Sequence, residues 1–233
     1  KYLENHRISA VLSRSIDTAK SFSSDKPNCT GYDDIDLFFN SSNVDAVYIA
    51  TPNNFHCDQT VRALNAGKPV LCEKPFSISK KESELMVAAS NKNNVALLEG
   101  MWTRYLPHIT NIQKIVKDGT IGEIESLSAF HHQNLSGVNN PRLWTRELGG
   151  GSLLDLGIYI VSFAHMIMGA PNEIEASASF TDEGVDSKTS IIFKYDNLQI
   201  ATLSCSMVDT MPNRAVISGT NGYIDLDPTF YAP

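Results

Sequence analysis

The chain has 233 residues, 42% of them apolar, which suffices for one large or two ordinary domains that each bury a core. A formal net charge of −7 and a pI near 5.3 disfavour a surface for nucleic acid or anionic lipid. No stretch approaches the roughly 18 uninterrupted apolar residues of a membrane span, the first residues do not form a signal peptide, and four cysteines without C-x-x-C spacing indicate a reducing cytoplasm.

The first part of the chain alternates short apolar strands with helices. The predicted strands are residues 8–13, 45–51, 69–75 and 95–101, and the predicted helices are residues 16–23, 55–66 and 79–91. Continuous apolar strands that alternate with helices are typical of a parallel sheet covered on both faces, and such sheets bind ligands at the carboxyl ends of their strands. Residues 1–101 therefore predict most of a nucleotide-binding α/β domain.

The pattern changes after Met101. Helices are predicted at 107–117 and 152–168, and strands at 121–132, 173–180, 188–195, 198–207 and 214–220. Consecutive strands separated by turn signals, with one or two helices, indicate an α+β domain with a mostly antiparallel sheet. Residues 102–233 are predicted to form this second domain.

The apolar helix predicted at 152–168 carries two polar side chains of chemical interest. A period of 3.6 residues places Asp155 and Tyr159 on one face. A helix that is apolar on most sides is buried, so the carboxylate needs a partner. The alternative is a purely structural role, in which Asp155 braces the glycine turn at 149–151.

Lys74 follows a predicted buried strand, within the sequence Glu73-Lys74-Pro75. A lysine at a strand end is more often a solvated charge. Beside Tyr159, however, an ammonium would favour the phenolate, and the pair would exchange a proton with an alcohol or a carbonyl. Hydride transfer to a nicotinamide requires such a proton relay.

Four segments, in this order and at these intervals, resemble the glucose–fructose oxidoreductase (Gfo/Idh/MocA) family, and within it the dihydrodiol and NADP-dependent xylose dehydrogenase branches. They are IATPNNFH, PVLCEKP, EGMWTRYLP and GGGSLLDLGIYIV, and VISGTNGYIDL near the end extends the resemblance over practically the whole chain. The resemblance implies a Rossmann-type cofactor domain followed by an α+β substrate domain.

The resemblance also implies roles for individual residues. Lys74, Asp155 and Tyr159 would carry catalysis, with Tyr159 as the acid/base, and the Lys74–Pro75 bond is often cis in the family. The other residues it places at the site are Thr51, Pro52, Asn53, His56, Glu73, Lys74 and Arg104 for the cofactor, and Trp102 and Trp144 for the substrate.

Ser13 and Arg14 follow the first predicted strand, where an acidic residue would bind the ribose 2'-hydroxyl of NAD. A guanidinium at this position makes charge-assisted contacts with phosphate, which predicts a preference for NADP, with NAD still possible. The alternative is a solvent-facing loop arginine.

The ends of the chain depart from the family pattern, and the adjacent histidines His131 and His132 are not expected to form a site. No G-x-G-x-x-G turn precedes Ile8, residues 149–151 cannot replace it, and family chains continue past Pro233, so we expect both ends to be missing. Without its glycine turn the domain would bind the cofactor weakly or not at all. His131 and His132 point to opposite faces of a strand, so we expect no metal site.

The sequence thus predicts a cytoplasmic oxidoreductase that transfers a hydride between NADP(H) and a small diol, sugar or carbonyl compound. A homodimer or homotetramer is expected, without nucleic acid or membrane as partner. The alternatives are a non-catalytic NAD(P)-binding sensor on the same fold and an inactive truncated fragment of the enzyme.

Overall fold

The computed structural model describes residues 5–232 and divides into two compact units. The first unit runs up to Thr51 and resumes over Phe55–Glu99, and the second comprises Pro52–Asn54 and the chain from Gly100 onward.

The first unit is a parallel α/β structure. Its strands are β1 (Ala10–Leu12), β2 (Thr30–Tyr32), β3 (Val47–Ile49), β4 (Val70–Cys72) and β5 (Leu97–Glu99), and its helices are α1 (Ile16–Ser23), α2 (Ile35–Phe39), α3 (His56–Asn65, after a 3-10 turn at Asn53–Phe55) and α4 (Lys80–Asn93). β1 pairs with β2, and β3, β4 and β5 form a second sheet, all in parallel register. The predicted parallel α/β class is confirmed.

Two elements of this unit were not predicted from the sequence. β2 has only three residues, Thr30-Gly31-Tyr32, which form no apolar run. A Cβ at Gly31 would lie 2.9 Å from the backbone of Ala19, so glycine lets β2 approach α1. α2 is only five residues long, and Asp34 caps it by accepting hydrogen bonds from the N–H groups of Asp36 and Leu37.

A cavity of about 570 Å³ lies between the two sheets of the first unit. Apolar side chains of β1, β3 and α2 line much of it, including Val11, Val47 and Phe38. Among the described residues, β1 pairs only with β2 and β3 only with β4, so each strand has one edge without a partner strand.

The second unit is a six-stranded sheet covered by helices. Its helices are α5 (Pro107–Lys117), α6 (Pro141–Trp144) and α7 (Ile158–Met168), with 3-10 turns at Trp102–Tyr105 and Arg146–Leu148, and its strands are β6 (Ile124–His132), β7 (Glu173–Phe180), β8 (Asp186–Lys194), β9 (Ile200–Ser206), β10 (Ala215–Gly219) and β11 (Gly222–Leu226). The strand order is β11-β10-β6-β9-β8-β7. All neighbours are antiparallel except β6 and β9, so the prediction of a mostly antiparallel sheet is confirmed.

One face of this sheet packs against α7. Alternate side chains of β6 and β9, such as Leu127 and Leu203, are buried there together with Ile160 and Phe163 of the helix. Strand alternation thus defines the core face, as the period of two requires. β11 and α6 were not predicted; α6 has only four residues, which is too short for a helical period to show.

The helix predicted at 152–168 is interrupted. Its first turn, Leu153–Gly157, is π-helical, and the α-helix begins only at Ile158. Single π-helical turns inside α-helices are rare and frequently occur at functional sites. The π-helical turn contains Asp155, and Tyr159 follows it as the second residue of α7.

The stretch Arg146–Met168 has the length and mean hydropathy that a membrane-crossing helix requires, and half of its most apolar window is buried inside the protein. Ile160 and Ala164 in this stretch are fully buried in the core of the second unit. Packing against the sheet accounts for the apolar character of this helix.

Candidate active site

Asp186 holds the start of the π-helical turn. Its carboxylate accepts hydrogen bonds from the Ser152 hydroxyl at 2.6 Å and from the Leu153 N–H at 2.8 Å, and the Thr189 hydroxyl donates to it at 2.7 Å. A carboxylate at the start of a helical segment satisfies unpaired N–H groups and interacts favourably with the helix dipole. The segment that carries Asp155 and Tyr159 is therefore anchored to β8.

Tyr159 lies in an aromatic environment and is only 8% exposed. Trp102 packs edge-on against its ring, and the indole N–H donates a hydrogen bond to the phenolic oxygen at 3.3 Å. The rings of His131 and Tyr231 lie 5.2 and 5.3 Å away between centroids. The hydroxyl of Tyr159 is thus held in a defined position by groups of the same unit.

A polar network that the sequence analysis missed orders this aromatic cluster. His131, 1% exposed, stacks on Tyr231 at 4.0 Å, and its Nδ1 donates to the Leu156 carbonyl at 3.1 Å. The Gln133 amide donates to His131 Nε2 at 3.0 Å and to the Tyr231 hydroxyl at 2.9 Å, and the Asn213 amide also donates to that hydroxyl. No sequence pattern joins strand β6 to residues about 80 and 100 positions later, so only the fold reveals this network.

His132, next in the chain, points to the opposite face of the sheet, as strand geometry predicts. Its Nδ1 contacts the Asp209 carboxylate at 2.5 Å and its Nε2 contacts the Ser204 hydroxyl at 2.9 Å. The hydrogen bond to His132 lowers the pKa of Asp209. Among residues 5–232 no group of three or more His, Cys, Asp or Glu side chains is arranged to hold a metal ion.

Asp155 is 8% exposed and forms an ion pair with Arg142, whose Nη1 lies 3.1 Å from Asp155 Oδ1. The apolar helix predicts that this carboxylate needs a partner, and the structure identifies that partner as Arg142, thirteen residues earlier on α6. Helical periodicity cannot reveal a partner that belongs to another element.

In the first unit, Glu73 and Lys74 follow β4 directly. The Glu73 carboxylate accepts hydrogen bonds from the Lys74 N–H at 3.0 Å and from the Tyr48 hydroxyl. Burial and the hydrogen bond to Glu73 raise the pKa of Tyr48 to about 12. Lys74 is half-buried, and the Lys74–Pro75 bond is cis, as the resemblance implied.

His56 is fully buried at the start of α3. Its Nδ1 lies 2.8 Å from the Pro75 carbonyl and its Nε2 lies 2.9 Å from the Thr51 carbonyl, and the Thr51 hydroxyl donates to Gln59 at 2.8 Å. Both ring nitrogens of His56 are thus engaged within the first unit. The side chain thereby connects the backbone that follows β3 to the backbone that follows β4.

Pro52 and Asn53 belong to the second unit. The Asn53 amide, which is buried, donates to the Gly149 carbonyl at 2.8 Å and so joins this loop to the glycine turn. In Asn54, which the sequence analysis did not select, Oδ1 is buried and has no hydrogen-bond partner within the described residues. A buried amide oxygen without a partner is costly, and an N–H or O–H donor of a ligand would satisfy it.

The remaining predicted residues lie nearer the surface. Arg14 is exposed and Ser13 half-buried just after β1, and Arg104 is exposed in the 3-10 turn that also contains Trp102. Trp144 on α6 lines a cavity of about 440 Å³ with residues 136–139.

The second unit thus pairs Tyr159 with Trp102 and Asp155 with Arg142, and it carries Asp155 and Tyr159 four residues apart in one helical segment. The first unit places Lys74 at the end of a parallel strand, where such sheets bind ligands. A buried phenol and a buried ion-paired carboxylate constitute groups able to bind a substrate hydroxyl and transfer its proton.

Family models match both units. A model of an oxidoreductase family with an NAD-binding Rossmann fold matches residues 2–101, and a model of the GFO/IDH/MocA C-terminal domain matches residues 109–225. These matches and the fold define a nicotinamide-dependent oxidoreductase with a Rossmann domain. The chain belongs to the Gfo/Idh/MocA family.

Similar proteins include dehydrogenases of diols and inositol. The chain is 32% identical over 232 residues to trans-1,2-dihydrobenzene-1,2-diol dehydrogenase of Danio rerio, covering 99% of this chain and 69% of that enzyme. It is 35% identical over 237 residues to an NADP(+)-dependent scyllo-inositol 2-dehydrogenase of Bacillus subtilis, covering 99% and 71%. A 3-ketoreductase from Actinomadura kijaniata, solved with NADP and TDP-benzene, matches with a TM-score of 0.86 at 27% identity, covering 97% and 70%.

Proposed function

We propose that the protein oxidises a secondary alcohol of a small diol, polyol or sugar with NADP, or reduces the corresponding carbonyl compound with NADPH. The observation that carries this proposal is the buried Tyr159 hydroxyl, which Trp102 holds at the end of a π-helical turn in a family of nicotinamide-dependent oxidoreductases. The substrate class follows from the similar diol and inositol dehydrogenases.

In this proposal Tyr159 accepts the proton of the substrate hydroxyl during oxidation and returns it during reduction. Lys74 stabilises the phenolate through its ammonium charge, and Asp155 helps to orient Tyr159 for the reaction. Trp102 and Trp144 form walls of the substrate pocket, and the bound nicotinamide supplies the hydride chemistry.

The residues suit a phosphorylated dinucleotide. Arg14 provides a guanidinium at the end of β1 and Ser13 a hydroxyl, a combination that favours a phosphate over a free 2'-hydroxyl. The Asn54 Oδ1, which has no hydrogen-bond partner among residues 5–232, offers an acceptor for a ribose hydroxyl or a carboxamide N–H. We assign Thr51, Pro52, Asn53, His56, Glu73 and Arg104 to the support of the same cofactor.

We further propose residues 1–101 as the cofactor domain and residues 102–233 as the substrate and oligomerisation domain of a cytoplasmic homodimer or homotetramer. Light scattering of the purified full-length protein tests the assembly, and a monomer at micromolar concentration would contradict it.

The direct test of the function uses the full-length protein with NADP and a panel of trans-dihydrodiols, inositols and aldoses, followed by nicotinamide absorbance. We expect NADP-dependent oxidation of at least one class and reduction of its ketone with NADPH. Tight NADPH binding without turnover on any substrate would favour a non-catalytic sensor instead.

Replacing Arg14 with alanine is expected to raise KM for NADP by roughly 10- to 100-fold, because a charge-assisted phosphate contact contributes about 1.5–3 kcal/mol. KM for NAD, which lacks the 2'-phosphate, should change little. Lys20→Ala, an exposed cation on α1, is the matched control. An equal effect of Arg14→Ala on NADP and NAD would refute the assignment.

A further inference from the structure

Backbone hydrogen bonds join the glycine turn at 149–151 both to the short helix α6 and to the π-helical turn. The Gly151 N–H donates to the Leu143 carbonyl at 3.0 Å, and the Gly151 carbonyl accepts from the Asp155 N–H at 3.1 Å. Gly151 therefore connects the backbone of α6 directly to the turn that carries Asp155.

Glycine is needed at position 150 for this contact. A Cβ there would lie 2.6 Å from the Leu143 carbonyl oxygen and 2.9 Å from that of Arg142, distances that real Cβ atoms do not adopt against backbone. Gly150 thus allows α6 to lie closer to the turn than any larger residue would permit.

This close approach of α6 places the Arg142 side chain next to Asp155. Pro141 and the Asn140 side chain start α6, with Asn140 Oδ1 accepting from the Arg142 N–H at 3.2 Å. The guanidinium then reaches Asp155 at 3.1 Å, and the two side chains are 33% and 11% exposed. A buried carboxylate without a partner is costly, and a planar guanidinium both pairs with it and restricts its orientation.

We propose that Arg142 is a positioning residue for Asp155, and that Gly150 is required because it lets α6 bring Arg142 to that carboxylate. The inference rests on the proposed function, in which Asp155 helps to orient Tyr159 for the reaction. Arg142 acts on the reaction through Asp155 and needs no contact of its own with substrate or cofactor.

The first test compares Arg142→Met, Asp155→Asn and the double variant in the full-length protein. Because misplacing a reacting group by about 1 Å can lower rates by about 100-fold, we expect Arg142→Met to lower kcat by about that factor, with KM and the Kd for NADPH nearly unchanged. The double variant should be no slower than Asp155→Asn alone, since both changes remove one function. Arg146→Met, an exposed arginine four residues later, should behave as wild type.

Two further variants, Gly150→Ala and Arg142→Lys, keep the positive charge at position 142 and the Asp155 carboxylate. Gly150→Ala should lower kcat in the same way as Arg142→Met, because the added methyl group displaces α6. Gly222→Ala is its control, since the Cβ there has its nearest neighbour at 3.8 Å. Arg142→Lys should retain intermediate activity, and it carries the test together with Gly150→Ala if Arg142→Met does not fold.

Three results would overturn the inference and leave the proposed function intact. They are a wild-type kcat in both Arg142→Met and Gly150→Ala, a double variant in which the two defects multiply, and a raised KM with unchanged kcat, which indicates a direct substrate contact. Wild-type turnover in Asp155→Asn would overturn both this inference and the role of Asp155 in the proposed function. Loss of turnover in Asp155→Asn alone leaves that role intact and contradicts only the part assigned to Arg142.

Discussion

Tyr159→Phe is expected to lower turnover by about 10²- to 10⁴-fold, the range that general acid–base catalysis contributes. The substitution removes only the hydroxyl and keeps the ring that packs against Trp102, His131 and Tyr231. The Kd for NADPH, measured by nicotinamide fluorescence, should stay within about twofold, because the acid/base group binds the transferred proton rather than the cofactor.

Tyr195→Phe is the matched control for this experiment. Its hydroxyl contacts the Gly169 carbonyl at 3.5 Å beyond the C-terminal end of α7, so it also loses one hydroxyl from a partly buried tyrosine. Turnover of this control should equal that of the wild type. If Tyr159→Phe retains wild-type turnover, Tyr159 is not the acid/base of the reaction.

The sequence predicted the regular elements well where apolar periodicity was long. The helices at 16–23 and 107–117 and the strand at 173–180 agree with the structure to the residue. The misses are short elements, such as β2 and α6, which tertiary contacts of glycine and capping side chains stabilise. A pattern needs one or two periods to be visible, and three or four residues do not supply them.

The π-helical turn was also not predicted from the sequence. Periodicity placed Asp155 and Tyr159 on one helical face, but it assumed a uniform α-helix through Gly157. The turn depends on Asp186, which anchors its first residues, and on the His131 imidazole, which hydrogen bonds the Leu156 carbonyl. Such long-range causes leave no local trace in the sequence.

The candidate site divides in the same way. Asp155, Tyr159 and Trp102 were selected by motif, and the structure brings Trp102 and Tyr159 into contact within the second unit. Arg142 and Gln133 had no motif and were found only from their contacts. The roles of all these residues, and the cofactor contacts assigned to the first unit, stay predictions.

Lys74→Met is the second substitution with a large expected effect. Removing the ammonium eliminates the charge proposed to stabilise the Tyr159 phenolate, so kcat should fall by about 10²-fold or more while the fold is retained. Lys74 is only half-buried, and methionine preserves the length of its apolar stem. Lys80→Met, an exposed cation in the first turn of α4, is the control and should keep wild-type turnover.

Chemical rescue distinguishes a role of the Lys74 charge in catalysis from a structural role of its side chain. In Lys74→Gly, added methylamine or ethylamine should restore part of the lost turnover, because a small ammonium ion can occupy the space of the missing side chain. A neutral molecule of the same size, such as ethanol, should restore none. If turnover returns equally with both, or if Lys74→Met is as active as the wild type, the lysine does not supply charge to the relay. In that case the ion pair of Asp155 and Arg142 becomes the next candidate to activate Tyr159, because its carboxylate lies four residues earlier in the same helical segment.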